Sequence, residues 1–332
     1  MTNQMTTPPN SSQSEAQTVE RPVFLVGAER SGTTMLRLML DSHPDISFLE
    51  EFEYVVESIP ATGWPDVAEY VDRIVNHRVF QLHGVDIDPT LSYPALINSF
   101  MRQQLDTNTT VHGATIHFSI DKILRIWPDA RFIHIVRDPR DVARSAVAMS
   151  WGGTVWGGVG KWIAAEDEWA ATKAAIGEER YIEITFDDLV ADNRTTLDSV
   201  CAFLGVDYTD EMLSYAERTE YALPSPSATA SSWRESLSDR EVRMVEAKVG
   251  DRLTAAGFEH SGKRALKLTP MKQRVFDLEN KAKRPLSRAR NLGWPLTIGL
   301  TLARQVGPAP IRASLERRAN QRINDNRKRS WN

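Results

Sequence analysis

The chain has 332 residues, 41% of them hydrophobic and 25% charged, with a net charge of −4. This is the composition of a globular protein large enough to bury a full α/β core, and its charge gives no reason to expect a nucleic-acid binder. A single cysteine, Cys201, excludes an intramolecular disulfide. No apolar run reaches the roughly 18 residues of a membrane span, so a cytoplasmic location is the expectation.

Residues 1–20 are mostly Thr, Ser, Gln, Asn and Pro without an apolar stretch, and read as a disordered tail and not a signal peptide. Val23-Phe24-Leu25-Val26 then has the composition of a buried strand. A polar turn with Gly27 and Gly32 follows, and an apolar helical pattern runs from Met35 towards a stop at His43-Pro44. Strand, glycine turn and helix N-terminus together hold phosphate, because the free amides of the first turn and the helix dipole converge on an anion. The spacing fits the nucleotide loop GxxxxGK[ST], but Thr33 occupies the lysine slot. Arg30 is the loop's cation, with hydroxyls at Ser31, Thr33 and Thr34. Such a loop suits one phosphate better than a triphosphate with Mg²⁺; the bland alternative is a glycine turn without a ligand.

Arg30-Ser31-Gly32-Thr33-Thr34, with a second motif in which Arg137 is followed eight residues later by Ser145, resembles sulfotransferases that use 3′-phosphoadenylyl sulfate (PAPS), in their bacterial branch. The similarity covers roughly residues 21–262. It implies a P-loop-type α/β fold of three layers, with a central, mostly parallel sheet flanked by helices. It also implies that the loop binds the 5′-phosphosulfate, and that a glutamate after His43-Pro44-Asp45 takes the acceptor's proton. Glu51 best matches that glutamate and Glu50 is next, against a reading in which they simply face solvent.

Residues 60–110 read as a helical insertion over the site mouth, with Trp64, Tyr70, Phe80, Tyr93 and Phe100 as core or pocket wall. His112 to His117 precede an expected amphipathic helix ending at Trp127-Pro128. Many relatives carry Lys-Thr-Pro near here and this chain does not, which removes support for a lysine-assisted leaving group. His112 and His117 stand as alternative bases against structural roles.

Phe132 to Val136 has the composition of a buried parallel strand, with Asp138 as N-cap and Pro139 at the first helical position. Arg137 therefore falls at a strand's C-terminal end, where open α/β sheets bind ligands, and Ser145 lies two turns along the helix. An arginine fork and a hydroxyl suit a second phosphate; the resemblance assigns Arg137 and Ser145 to the 3′-phosphate. Two phosphate sites on strand–helix units indicate a bisphosphorylated nucleotide. Arg140 and Arg144 read as surface or salt-bridge residues.

Residues 150–162 combine five glycines with Trp151, Trp156 and Trp162, and read either as a loop closing on an acceptor or as a tight connection whose tryptophans plug the core. A helix follows to about residue 175. Tyr181 to Phe186 reads as a strand, and Phe186 stands where relatives have a tyrosine packed on adenine. Cys201 lies on an apolar helix face and reads as a structural thiol. A loop from Pro224 leads to Trp233 and Arg234, which the resemblance places near the 3′-phosphate although the family's basic cluster is absent, and a helix is expected over 238–256. Residues 263–332 carry eighteen Lys and Arg against four Asp and Glu. This basic helical extension reads as a cap, a peripheral contact with anionic lipid, or a grip on an anionic acceptor.

The expected organisation is a tail over 1–20, a sulfotransferase domain over 21–262 and the extension over 263–332. The expected reaction moves a sulfuryl group from PAPS to an acceptor hydroxyl or amine (small molecule, glycan or lipid), leaving adenosine 3′,5′-bisphosphate (PAP), without a metal. Arg30 and Glu51 are the expected catalytic pair. The rivals are an ATP-dependent P-loop phosphotransferase and a non-catalytic nucleotide-binding scaffold.

Overall fold

The computed structural model describes residues 18–75, 77–218, 232–308, 311–312, 314–319 and 321–322. Strand β1 (Val23–Val26) is flanked on both sides in a five-stranded sheet, with β2 (Ile46–Glu51), β3 (Val111–Ile116), β4 (Arg131–Val136) and β5 (Tyr181–Thr185) in the order β2-β3-β1-β4-β5. Every pairing is parallel. Alternate residues of β1 explain why both faces are covered. Phe24 and Val26 enter one core, and Val23 and Leu25 enter another.

Helix α1 (Thr33–Asp41) packs on the second face. The first face is covered by α2 (Val67–Ile74), α3 (Arg78–His83) and α4 (Tyr93–Gln104), the expected helical insertion. Tyr70, Phe80, Tyr93 and Phe100 are all buried there, so they are core and not pocket wall; Trp64 is exposed. The segment from His112 departs from expectation. It is strand β3, followed by single turns at Ile120–Lys122 and Ile123–Ile126 instead of an amphipathic helix. Gly113 has a packing reason: a Cβ there would lie 2.2 Å from the Phe48 ring.

β4 runs into α5 (Pro139–Ala148), capped by Asp138 as expected. Arg140 is not a surface residue. Only 2% exposed, it bridges Asp138 at 2.6 Å and Glu246 at 2.7 Å. Residues 150–162 form a tight connection, with one turn at Val155–Gly158 leading into α6 (Gly160–Lys173). Trp156 and Trp162 are buried in it, so the reading as a closing loop does not hold. Cys201 is buried on α7 (Asn193–Leu204), and burial pushes its thiol up to about 11, which fits an inert structural role.

The helix expected over 238–256 is two: α8 (Asp239–Val249), started by a capping box of Ser238 and Glu241, and a turn at Arg252–Ala255 beyond Gly250. In the basic extension, α9 (Pro270–Leu292) is followed through Gly293 by α10 (Trp294–Val306). Helix α9 is stitched to the sheet-bearing part: Asn280 Oδ1 accepts the amides of Gly153 and Thr154 at 2.8 and 3.1 Å, and Asp277 accepts the Trp156 indole N–H at 2.8 Å. Pro224 and most of the loop leading to Trp233 lie outside the described residues, as do residues 1–17 of the tail.

Candidate functional site

The turn after β1 is built from backbone that few residues adopt. Gly27 has φ +149° and a Cβ there would sit 2.3 Å from the Ile135 carbonyl oxygen; Gly32 has φ +97° and a Cβ would sit 2.3 Å from the Phe186 ring. Between them Arg30 takes φ 76°, a left-handed conformation that costs a non-glycine residue about 1–2 kcal/mol. Such strain persists where the surroundings hold it, and functional sites are where it gathers. Helix α1 then begins with no side-chain cap and no acidic residue in its first turn. Its first amides are left for an anion, which the helix dipole favours. The Ser31 hydroxyl is fully buried with no partner, Thr33 is buried and Thr34 is exposed. An uncapped helix start beside an orphaned hydroxyl and a cation fits a phosphate.

The second motif meets the first directly. Arg30 Nε donates to Ser145 Oγ at 2.9 Å, and Arg137 Nη1 donates to the Arg30 carbonyl at 3.3 Å. The Trp162 indole N–H donates to the Arg137 carbonyl at 2.9 Å, which fixes the end of β4. Burial pushes the Arg137 pKa below its ordinary value, the positive charge of Arg144 acts in the same sense, and Asp141 and Asp187 oppose them. Arginine keeps its proton regardless, so this buried cation gains from any anion brought beside it.

A bulge in β2 separates the two candidate glutamates. Pairing with β3 shifts between Leu49 and Glu51, which puts Glu51 opposite Thr115 and throws Glu50 outwards, where it pairs with Arg37 of α1 at 3.3 Å. His117 lies just past the C-terminal end of β3, and its Nδ1 N–H donates to the Gly27 carbonyl at 3.0 Å. His112 is at the other end of that strand, roughly 16 Å away at about 3.3 Å per residue, so it is no base candidate.

Glu53 was missed by the sequence reading, since nothing in Glu51-Phe52-Glu53 marks the last carboxylate as buried. Its Oε1 accepts the His117 amide at 3.2 Å and lies 4.0 Å from His117 Nε2. Burial raises its pKa to about 7; His117 pulls the other way and the Glu51 charge adds to the rise. An acid whose folded pKa lies above its unfolded value favours the native state fully below the unfolded value of 4.5, and loses that contribution as pH rises through about 7. Glu53→Gln is therefore expected to unfold with a stability that falls less between pH 5 and pH 8 than the parent's, by up to about 3 kcal/mol. Urea titrations at the two pH values check this; a difference that does not change with pH counts against it.

Three expected nucleotide contacts sit otherwise than foreseen. Phe186 is 4% exposed, wedged against Gly32 with the Arg137 guanidinium 4.2 Å from its ring centre. Trp233 is 2% exposed, with the guanidinium of Arg140 at 3.8 Å and that of Arg234 at 4.5 Å from its ring centre. Arg234 is exposed and lies on that tryptophan. Ser232 beside it does join the second motif: its hydroxyl donates to Asp141 at 2.7 Å and accepts from Arg144 at 2.8 Å. Among the described residues no group of three or more His, Cys, Asp and Glu could hold a metal ion.

Comparison with known proteins gives a consistent result. The model of a family described as the sulfotransferase family matches residues 22–210. Protein-tyrosine sulfotransferase 2 of Gallus gallus is 22% identical over 213 residues, 59% of this chain and 54% of that protein. The protein-tyrosine sulfotransferase of Drosophila melanogaster is 23% identical over 245 residues, 67% and 45% of the two chains. The chain thus spans about half the length of these curated relatives. Among solved structures, the sulfotransferase domain from the Synechococcus PCC 7002 olefin synthase is 19% identical, covers 72% of this chain and 98% of its own, and superposes with a TM-score of 0.49.

Proposed function

The chain belongs to the sulfotransferase family, and on that premise we propose that it moves a sulfuryl group from PAPS to an acceptor hydroxyl or amine, leaving PAP. The observation that carries this reading is the 2.9 Å hydrogen bond from Arg30 to Ser145. It joins a single-phosphate loop to a second basic and hydroxylic site within the reach of one small nucleotide bearing two separate phosphates. A triphosphate with Mg²⁺ would call for the lysine that Thr33 replaces.

PAPS, when bound, supplies an activated sulfuryl group whose bond to the 5′-phosphate oxygen breaks as its bond to the acceptor forms. The first amides of α1 and the hydroxyls of Ser31, Thr33 and Thr34 hold the 5′-phosphate. Arg30 neutralises charge on the leaving oxygen. Arg137 and Ser145 hold the 3′-phosphate, so loading the site exchanges the Arg30–Ser145 bond for bonds from each residue to its own phosphate. Glu51 takes the acceptor's proton. His117 ties the loop to the end of β3 through Gly27, with the buried Glu53 behind it. No residue here needs a metal for these roles. The names of the curated relatives add a tyrosine side chain to the acceptors to be tried alongside small molecules, glycans and lipids.

Calorimetric titration tests the donor. PAP is expected to bind tightly, ADP weakly, and ATP with Mg²⁺ no better than ADP. Preference for ATP with Mg²⁺ would make a phosphotransferase the working model, and PAP binding without transfer from PAPS to any acceptor would make the chain a binding scaffold.

A further inference from the structure

Thirteen large apolar side chains are exposed among the described residues, and nine of them lie between Met271 and Ile311. Their arrangement is regular. On α9, Met271, Val275, Leu278 and Leu286 are 72%, 50%, 64% and 49% exposed, and with Ala282 they recur at steps of four, three, four and four, which makes one stripe along the helix. The opposite face holds Phe276, Asp277, Asn280 and Ser287, all committed to the rest of the protein. Lys272 and Arg290 flank the stripe on one side and Arg274 and Lys281 on the other, all exposed.

Helix α10 continues this surface. Leu292, about four turns beyond Leu278 on the same side of α9, packs with Leu296 and Leu300 of α10. On its outer face α10 presents Trp294, Ile298, Leu302 and Val306, 52% to 84% exposed at a constant step of four. Its sequence from Trp294 to Val306 contains one charged residue, Arg304. At thirteen residues it is about 20 Å long, against the roughly 30 Å of a hydrocarbon core, and no helix among the described residues is long and apolar enough to cross a membrane. A helix of this length and composition suits a position along an interface.

We propose that the outer faces of α9 and α10 form a docking surface for an anionic lipid bilayer, with Trp294 and the apolar stripes in the headgroup layer and the flanking Lys and Arg on lipid phosphates. Charge complementarity selects this occupant. The acidic residues of α9 and α10, Asp277 and Glu279, are both engaged already, the first by Trp156 and the second by Arg240 and Lys283. A second copy docking through the same face would therefore set cations against cations. A nucleic acid would satisfy the charge and leave the apolar stripes in water. The inference is independent of the transfer chemistry.

The test is co-sedimentation of the full chain with vesicles, read without any activity assay. Binding is expected to phosphatidylcholine vesicles containing phosphatidylglycerol, to be absent with phosphatidylcholine alone, and to weaken in high salt. Ile298→Ser with Leu302→Ser is expected to lower the partition coefficient by on the order of tenfold or more through lost apolar burial. Arg274→Gln, Lys281→Gln and Arg290→Gln together are expected to lower it by on the order of 100-fold. These positions are exposed, so an unchanged melting temperature confirms folding in each variant. The proposal is overturned if anionic vesicles are not bound at low salt or if both variants bind like the parent. It is also overturned by self-association that the serine variants abolish without any vesicle binding, which assigns the surface to a second copy. An oligonucleotide bound as tightly as the vesicles, with the serine variants unaffected, overturns it too.

Discussion

Arg30→Ala is expected to slow sulfuryl transfer by about 10²–10³-fold, or roughly 3–4 kcal/mol in the transition state, as removal of one preorganised donor does. The residue is held for this role before any nucleotide arrives. Its backbone occupies a left-handed conformation at φ 76°, while its guanidinium rests on Ser145 until a nucleotide takes that bond's place. Charge grows on the leaving oxygen only as the sulfur–oxygen bond breaks, so the loss should appear mainly in turnover and little in nucleotide affinity. Arg30→Lys should restore part of the rate, because a lysine brings the charge without the planar fork. Single-turnover measurements with PAPS decide the matter. Near-normal turnover of the alanine variant removes Arg30 from the mechanism.

Arg137→Ala is expected to weaken PAP binding by about 30- to 100-fold, the 2–3 kcal/mol of a charge-assisted hydrogen bond to phosphate in a buried setting. The more telling result is selectivity. ADP has no 3′-phosphate, so its weak binding should change little and the preference for PAP over ADP should collapse. Equal losses for both nucleotides would mean that Arg137 only supports the loop, through its bond to the Arg30 carbonyl and its place on Phe186. Calorimetry of the two ligands with parent and variant separates the outcomes.

These expectations rest on the parts of the chain that were readable as sequence. The turn at Gly27 to Thr34 and the junction at Val136 to Pro139 are local devices, in which each residue's role follows from its near neighbours. Strand composition, glycine, N-cap and proline all agree there, and the structure keeps the strand, turn and helix order foreseen. β3 was not readable because its identity is tertiary. Gly113 and His112 weaken the strand signal until Phe48 is seen filling the space above the glycine. The β2 bulge that sets Glu50 and Glu51 apart is a property of pairing with β3 and leaves no mark in the sequence. Glu53 acquires its raised pKa mainly from burial, and the packing of Phe186 and Trp233 against neighbouring arginines is likewise tertiary.

The contacts of Asn280 and Asp277 bear on where the chain can be cut. The seam at residue 262 is one of composition, but hydrogen bonds run across it. A fragment ending there takes the acceptors from the Gly153 and Thr154 amides and the Trp156 indole and uncovers all three, which forfeits about 0.5–1.5 kcal/mol net for each hydrogen bond lost. Gly153 and Gly157 are backed so closely by α9 that a Cβ on either would meet it within 2.3 Å, so the helix has a seat that water would fill poorly. Stopping at residue 210, where the family match ends, also takes Glu246 from the buried Arg140. The basic helix is therefore built into the same cooperative block as the connection at 150–158, and a fragment that retains these contacts runs through Leu292.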